Sequence, residues 1–374
     1  MSEYEILRLI WWALIGVLLT GFAVMDGFDL GTAALLPFVA RTDMERRIVV
    51  NTVAPVWEGN QVWFIVGGGA IFAAWPMLYA ASFSGFYLAM ILVLATLILR
   101  PVGFKYRSKV ADPRWRRFWD YALFAGGVVP ATVFGVAFGN LFEGVPFTFD
   151  SDLRYHATIT LISLLNPFAL VVGLTSLSMV ILHGAAWLNL KTEGTVQARA
   201  RAIMPALAIT FGVLFAAAGL WLSRMAGYHI IGVLAHDGPS NPMLKTVAHG
   251  GGWFDNASAH PVLAATVVLA YAGAILAAVL RRRPGFAFLA SALVPIGTIA
   301  TAGVALFPFL LPSSTNPSAS LTVWDASSSR LTLAVMLGAV AIFLPIILAY
   351  TAWAYRVMRG PVRQADVENS KNAY

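Results

Sequence analysis

The chain has 374 residues, of which 59% are hydrophobic and only 11% are charged. A soluble domain carries roughly 25% charged residues, so this composition excludes an ordinary soluble globular protein and indicates a polytopic membrane protein. The absence of cysteine excludes disulfides and thiolate metal sites. No internal repeat or low-complexity segment is visible, so we expect one membrane domain over residues 1–374.

A membrane-crossing helix needs about 20 mostly apolar residues. We therefore predict an all-α membrane protein with nine transmembrane helices. In chain order, the predicted spans are 8–37, 52–75, 78–100, 118–141, 159–188, 202–222, 261–280, 286–310 and 328–356. The first stretch is too long for a signal peptide and has neither a basic start nor a small-residue cleavage site, so we expect it to be retained.

The basic residues predict the orientation of these spans. Of the 25 Lys and Arg, all but five fall in the odd-numbered loops and the carboxyl-terminal tail; the five are Arg8, Arg154, Arg224, Lys245 and Arg330. Because basic residues are held on the cytoplasmic side, the amino terminus is predicted to be periplasmic and the carboxyl terminus cytoplasmic. Topology thus explains the net charge of +7, and no nucleic-acid partner is expected. Aromatic residues near the span ends, Trp353 and Tyr355 among them, are interpreted as interface anchors.

Two acidic clusters interrupt the apolar stretches, the first at Met25–Gly31 in span one and the second at Trp57–Trp63 in span two. A charged side chain at the bilayer centre costs at least ~2.5 kcal/mol even on the most lenient insertion scale. Asp26, Asp29 and Glu58 therefore need a neutralising partner, a proton or a water-filled path. We expect them to handle protons or ions.

The spacing of these acids predicts a shared polar seam. Asp29 and Glu58 each lie roughly 9–15 Å from the cytoplasmic end of their helices at 1.5 Å per residue, so they are expected at a similar depth. Asp26 and Asp29 share one helix face, and Glu58 and Gln61 share another. This arrangement favours a seam open toward the cytoplasm. The alternative is a packing hydrogen bond with one acid held neutral by its surroundings.

Other conspicuous residues have structural interpretations. Gly27 and Gly31 form a small-residue pattern that permits close helix approach. Arg100 is expected to extend its side chain to the phosphate level more readily than to pair with an acid. Asp325 is interpreted as the N-cap of the ninth helix. Of six histidines, only His183 lies inside a span, where it is expected to be a hydrogen-bonded structural group; the chain is therefore predicted to ligate no haem or other metal by itself.

Several long motifs then carry a resemblance. The runs GFAVMDGFDLG, ERRIVVNTVAPVWEGNQVWFIVGGG, VAFGNLFEGVPF, LLNPFAL and SLTVWDASSSRLTL closely resemble subunit II of bacterial cytochrome bd quinol oxidase. The likeness covers nearly the whole chain in order, from Tyr4 to Tyr374. It implies two four-helix bundles plus one additional helix, located in the bacterial inner membrane as a multi-pass protein.

The resemblance also implies a function within a complex. Subunit II of this family pairs with a related subunit I, which holds two haems of b type and one of d type. In some members of the family, subunit II binds a structural quinone. The complex oxidises quinol, reduces dioxygen to water, takes the protons from the cytoplasm without pumping, and includes small single-span accessory subunits. Subunit II is needed for assembly of the haems.

The family motifs assign roles to particular positions. The acidic position matching Glu58 is linked to a proton path, the tryptophan matching Trp63 to an oxygen route, and Asp29 and Arg100 lie in matching motifs. The resulting candidate proton pathway is Glu58, Asp29, Asp26 and Arg100, with Trp57, Asn60 and Gln61 as neighbours in the same motif.

Two alternatives remain open. A proton-coupled secondary transporter could use the same acids, and Gly67–Gly69 is the nearest candidate for the broken helix that transporters show at midmembrane. A scaffold whose acids only pack is the other alternative.

Overall fold

The structure is a computed structural model that describes residues 1–369; Lys371 of the predicted basic tail lies outside this range. The helices in chain order are α1 Glu3–Met25, α2 Gly27–Val39, α3 Asp43–Val53, α4 Trp57–Ala74, α5 Pro76–Gly85, α6 Tyr87–Leu97, α7 Leu99–Tyr106, α8 Pro113–Glu143, α9 Pro167–Lys191, α10 Gly194–Leu222, α11 Asp255–Ala259, α12 Ala265–Val279, α13 Pro284–Leu306, α14 Arg330–Val357 and α15 Gln364–Asn369. The strands are β1 Phe147–Phe149, β2 Tyr155–Ala157, β3 Ala226–Ile231, β4 Thr246–Gly252, β5 Phe309–Leu311 and β6 Leu321–Thr322.

The chain is mainly helical, as predicted. Within residues 1–369, eight helical segments are long and apolar enough to cross a membrane: Glu3–Val39, Tyr87–Tyr106, Pro113–Glu143, Pro167–Lys191, Gly194–Leu222, Pro261–Arg282, Pro284–Leu306 and Arg330–Val357. The remaining predicted span corresponds to α4, whose polar first turns make it less apolar than the others. Its 18 residues extend over roughly 27 Å, close to the ~30 Å hydrocarbon thickness. The total of nine spans stays a prediction.

Several predicted boundaries are wrong for local reasons. The helix of predicted span two begins at Trp57 and not at residue 52, because Pro55, which has no backbone N–H to continue a helix, lies between α3 and α4. Span five begins at Pro167, where the side chain of Asn166 caps the helix by accepting from Ala169 N at 2.6 Å. Residues 159–166 are apolar but form a loop. Span eight ends at Leu306, since the apolar run that follows becomes strand β5.

The helices pack in two neighbouring groups. The first group consists of α9, α10, α12 and α13, in which α10 packs against α9 and α12, and α13 packs against α12 and α9. In the second group, α8 packs against α2, α6 and α7. Helix α4 packs against α1 and α5, while α14 contacts α1 and α4. This arrangement is compatible with two four-helix bundles and one additional helix, which stays a prediction.

The two groups meet along α9, which packs against both α2 and α8. A Cβ atom added to Gly31 would lie 2.1 Å from the carbonyl oxygen of Val180, and one added to Gly184 would lie 2.4 Å from the carbonyl carbon of Gly31. The backbones are therefore in direct contact. The prediction of close approach through small residues is confirmed at Gly31.

One end of the helices, here called the hairpin face, carries three two-stranded antiparallel sheets, β1–β2, β3–β4 and β5–β6. Arg8 is buried there, where it donates to Ser327 Oγ at 2.8 Å and to the carbonyl oxygen of Gly238 at 3.0 Å. Lys245 and Asp325 form a buried ion pair at 2.7 Å. The prediction that Asp325 caps the last long helix is wrong, because Ser329 is the N-cap of α14.

The opposite end, here called the Arg-rich face, carries α3 and the basic loops. Asp120 is buried and accepts from Arg46 at 2.6 Å and from Arg107 at 2.5 Å. Asp43 accepts from Arg107 at 3.0 Å and from Arg116 at 2.7 Å. The basic residues of this face thus form a network with the buried Asp120 and the partly exposed Asp43, which a count of charges for topology did not anticipate.

Candidate functional site

Asp26 and Arg100 form an ion pair inside the helical domain. Two guanidinium nitrogens of Arg100 donate to the two carboxylate oxygens of Asp26, at 2.9 and 3.0 Å. Both side chains are 0% exposed. The expectation that Arg100 extends to the phosphate level is wrong. Gly126 of α8 leaves room for Arg100, since a Cβ there would lie 3.0 Å from Arg100 Cγ.

Asp29 lies one helical turn beyond Asp26 and is also fully buried. Its Oδ2 accepts a hydrogen bond from Asn60 Nδ2 at 2.8 Å, and Asn60 Oδ1 accepts one from the hydroxyl of Tyr355 at 2.6 Å. Among residues 1–369, Asp29 Oδ1 has no hydrogen-bond partner. Three helices, α2, α4 and α14, therefore converge on this carboxyl group.

Glu58 is placed apart from the two aspartates. It lies in the first turn of α4 and is exposed, whereas Asn60 is buried against Asp29. Two residues correspond to roughly 200° around a helix, so the two side chains lie on different faces of α4. The predicted seam joining Asp29 directly to Glu58 is not formed in this chain, and Asp26 and Asp29 do not open toward the Arg-rich face.

The other residues of the Trp57–Trp63 motif pack against neighbouring helices. Trp63 is half-buried and lies flat on α1, because a Cβ added to Gly21 would be 2.4 Å from the indole. The ring of Trp57 lies 6.1 Å from that of Phe104. Gln61 is half-buried on the same helix. Trp63 thus has a packing role in this chain, and its role in an oxygen route stays a prediction.

His183 is a structural group, as expected. Its Nδ1 lies 2.8 Å from Ser291 Oγ and its Nε2 lies 2.9 Å from the carbonyl oxygen of Val24. Both ring nitrogens are occupied by hydrogen bonds, so neither is available for a metal. In the part of the chain that the structure describes, no group of three or more His, Cys, Asp or Glu could hold a metal ion.

An apolar cavity of about 290 Å³ opens at the hairpin face among α11, α12 and α13. Its walls include Trp253, Leu263 and Val304. Trp253 is 3% exposed, and its indole N–H has no partner among the described residues.

Sequence reasoning missed the hydrogen-bonded chain of Asp29, Asn60 and Tyr355. The sequence motif marks Asn60 only as a neighbour of the acids, and the position of Tyr355 near a span end predicts an interface anchor. The available signal was an asparagine inside an apolar helix, since such a group requires a partner in the membrane. The sequence alone gives no indication that a residue 295 positions away supplies it.

The fold and the site define the class of protein. It is a multi-pass α-helical membrane protein with two buried acids between its helices, one in an ion pair and one without a cation. A family model for cytochrome bd terminal oxidase subunit II matches residues 7–358. The chain therefore belongs to the cytochrome bd oxidase subunit II family.

Individual relatives agree with this assignment. The chain is 50% identical to the probable cytochrome oxidase subunit 2 of Haemophilus influenzae and 49% identical to the cytochrome bd-I ubiquinol oxidase subunit 2 of Escherichia coli K12, in each case over 100% of both chains. It is 32% identical to the cytochrome bd ubiquinol oxidase subunit 2 of Bacillus subtilis, over 96% of this chain and 97% of the relative. A chain of the bd oxidase from Geobacillus thermodenitrificans has a similar fold, with a TM-score of 0.69 at 16% identity over 94% of this chain and 98% of that one.

Proposed function

We propose that this chain is the haem-free subunit II of a quinol:oxygen oxidoreductase in the bacterial inner membrane, where it supports assembly of subunit I and supplies a proton path from the cytoplasm. Quinol and dioxygen are the substrates of the complex. The haems of b and d type belong to subunit I, so their redox chemistry takes place outside this chain. The nine spans, the two bundles, the periplasmic amino terminus, proton uptake without pumping and the small accessory subunits are parts of the same proposal.

Glu58 is the observation that carries the proposed path. It is exposed at the start of α4, and no ion pair or hydrogen bond to it occurs among residues 1–369. The positive end of the helix dipole favours a carboxylate at this position. A charged group on the outside of a membrane helix also requires a polar partner or water. Subunit I would supply that environment and cover Glu58 at the interface.

The need for a path follows from charge balance. Each electron delivered to oxygen inside a low-dielectric protein must be matched by a proton, because an unbalanced charge there is strongly unfavourable. Glu58 would take protons at the Arg-rich face and pass them toward subunit I. Asp26 is held in its ion pair with Arg100, which leaves Asp29 as the buried acid able to accept a proton.

A structural quinone in this subunit, which some members of the family bind, is part of the same proposal.

The test is the purified complex carrying Glu58→Gln. We expect oxygen consumption with quinol to fall at least tenfold while haem content and copurification of subunit I stay normal, since glutamine keeps the shape of the side chain but does not titrate. Glu3→Gln is the matched control, because Glu3 is an exposed acid of the hairpin face that pairs with the equally exposed Arg330. Unchanged turnover in the Glu58 variant would refute the path, and isolation of the chain without a haem-bearing partner would refute the subunit assignment.

The transporter alternative loses its structural support. Gly67–Gly69 lie within α4, which is continuous from Trp57 to Ala74, so no broken helix occurs at this position. The family assignment also favours the oxidase.

A further inference from the structure

The ends of α2 and α8 form an aromatic notch at the Arg-rich face, a name used here for Phe38, Tyr121 and Phe124. Phe38 is 66% exposed and Tyr121 is 61% exposed. The ring of Phe38 meets that of Phe124 edge-on, with the ring centroids 6.0 Å apart. Contiguous exposed apolar surface of this kind marks a place of contact with a partner or with a membrane.

The notch exists because α8 changes its neighbour along its length. Toward the hairpin face α8 packs directly on α9, since a Cβ added to Gly139 would lie 2.5 Å from Ala169 Cα. Toward the Arg-rich face it packs on α2, since a Cβ added to Gly127 would lie 2.4 Å from the carbonyl oxygen of Leu30. Helix α2, which packs against both α8 and α9, therefore occupies the space between them. Its end, with Phe38, is open on the outer side.

The notch lies where the hydrocarbon of a membrane gives way to the headgroups. Both α2 and α8 belong to segments long and apolar enough to cross a membrane, Glu3–Val39 and Pro113–Glu143. The 31 residues of α8 extend over roughly 46 Å, which exceeds the ~30 Å hydrocarbon thickness. The first turns of α8 therefore reach headgroup depth. Tyr121 and Phe124 lie one and two turns deeper than Arg117.

Two exposed arginines border the notch without an acidic partner. Arg117 lies on the same side of α8 as Tyr121 and Phe124, since these residues are four and seven positions further on. Arg41 follows Phe38 by three residues, in the connection from α2 to α3. Neither arginine forms an ion pair among residues 1–369. Each presents paired N–H donors, which match the oxygens of a phosphate group.

The acids beside these arginines already have donors. The acids nearest to Arg41 and Arg117 in sequence accept as follows: Asp43 from Arg107 and Arg116, Asp120 from Arg46 and Arg107, Glu45 from Arg199, and Asp112 from the backbone N–H of Arg114. The side chains of Arg41 and Arg117 therefore add positive charge that no acid among the described residues pairs with.

We propose that the aromatic notch binds one anionic phospholipid of the leaflet at the Arg-rich face. Its phosphodiester group lies against Arg41 and Arg117, and an acyl chain lies along Phe38 and Tyr121. Basic groups between membrane helices and exposed apolar rings beneath them match the two halves of such a molecule. A zwitterionic lipid matches less well, because its amine would meet two unpaired arginines. An acidic protein segment would match the arginines but not the rings, which lie at hydrocarbon depth.

Native mass spectrometry of the detergent-purified oxidase complex, titrated with phosphatidylglycerol or phosphatidylcholine, tests this site. We expect one phosphatidylglycerol molecule to bind more tightly than any further one and more tightly than phosphatidylcholine. The double variant Arg41→Gln with Arg117→Gln should weaken its binding about 25-fold, since each basic side chain near an anionic lipid surface contributes a factor of about five. Phe38→Ser should weaken it about fivefold, because less apolar surface is covered by the acyl chain.

Arg282→Gln with Arg283→Gln is the matched control. These two arginines are also exposed, precede α13, and have no ion pair among residues 1–369. The control removes the same charge from the complex but none from the notch, so the tightest phosphatidylglycerol should stay bound with unchanged affinity. Equal weakening by the two double variants would show adsorption to general positive charge and overturn the proposal.

The remaining outcomes identify other occupants, and each would overturn the lipid site. Phosphatidylcholine bound as tightly as phosphatidylglycerol would show that charge plays no part. Displacement of phosphatidylglycerol by inorganic phosphate, with unchanged affinity in Phe38→Ser, would show a site for a free anion. Loss of subunit I from the Arg41 and Arg117 double variant, with phosphatidylglycerol binding unchanged, would show that the notch contacts the partner chain. None of these results depends on a proton path through Glu58.

Discussion

The helix interior and the Arg-rich face treat their carboxylates differently. At the Arg-rich face, Asp43 and Asp120 share three arginines, so positive charge exceeds negative charge. In the interior, two aspartates share one arginine, and Arg100 pairs with Asp26 alone. Each of these acids of the face thus pairs with arginine, whereas the interior leaves one acid without a cation. This difference separates acids that join helices through arginine from Asp29, the buried acid for which we propose a place on the proton path.

The largest expected effect comes from breaking the interior pair. Arg100→Leu would leave Asp26 buried without a counter-charge, which costs about 3–5 kcal/mol when one partner of a buried ion pair is removed. We expect much lower yield of assembled complex and a lower thermal midpoint, measured on the detergent-purified oxidase.

The double variant Asp26→Leu with Arg100→Leu tests the cause of this loss. It replaces the pair by apolar groups, and such replacements are often neutral or stabilising. We expect the double variant to recover most of the yield and thermal midpoint. A double variant as unstable as Arg100→Leu would show that Arg100 acts through packing and not through charge.

A smaller effect is expected at the Arg-rich face, where Glu45 links α3 to the start of α10. Glu45 accepts from Arg199 at 2.9 Å and from Thr195 at 2.7 Å. Partial burial raises the pKa of Glu45, but the hydrogen bonds from Arg199, Thr195 and the backbone N–H groups of Arg41 and Thr42 outweigh it and lower the pKa from 4.5 to about 2.

The pH dependence of stability follows from the direction of this shift. Because the pKa of Glu45 is lower in the folded chain, its contribution is fully present above pH 4.5 and is lost as the pH falls toward 2. At 1.36 kcal/mol per pKa unit the contribution is at most about 3 kcal/mol. Glu45→Gln should therefore lower the thermal midpoint at pH 7 and reduce its further decrease between pH 5 and pH 3. The same decrease in both proteins would contradict the assigned ion pair. Glu368→Gln is a suitable control, because Glu368 is an exposed acid near the same face.

The sequence predicted the class of fold and the acids, but not how the acids are paired. Apolar stretch length located the spans because a bilayer imposes one thickness on every helix. The partners of the polar groups were harder to predict, because Asp26 and Arg100 are 74 residues apart in sequence and Asn60 and Tyr355 are 295 residues apart. Helix periodicity predicts which residues share a face but not which helix lies opposite that face. Asp29 and Glu58 were expected at the same depth, and a shared seam was predicted for that reason. In the structure, the face of α4 that meets Asp29 is not the face that carries Glu58.

The smallest expected effect concerns the crossing of α2 and α9, which encloses the interior acids. Gly31→Ala would place a methyl group 2.1 Å from the carbonyl oxygen of Val180, so the two helices would have to separate. Overpacking of this kind typically costs about 1–3 kcal/mol. Gly16→Ala is the matched control, since a Cβ at Gly16 has no atom within 4 Å and alanine is the better helix former. We expect the Gly31 variant to have a lower thermal midpoint and the Gly16 variant to have an unchanged or higher one.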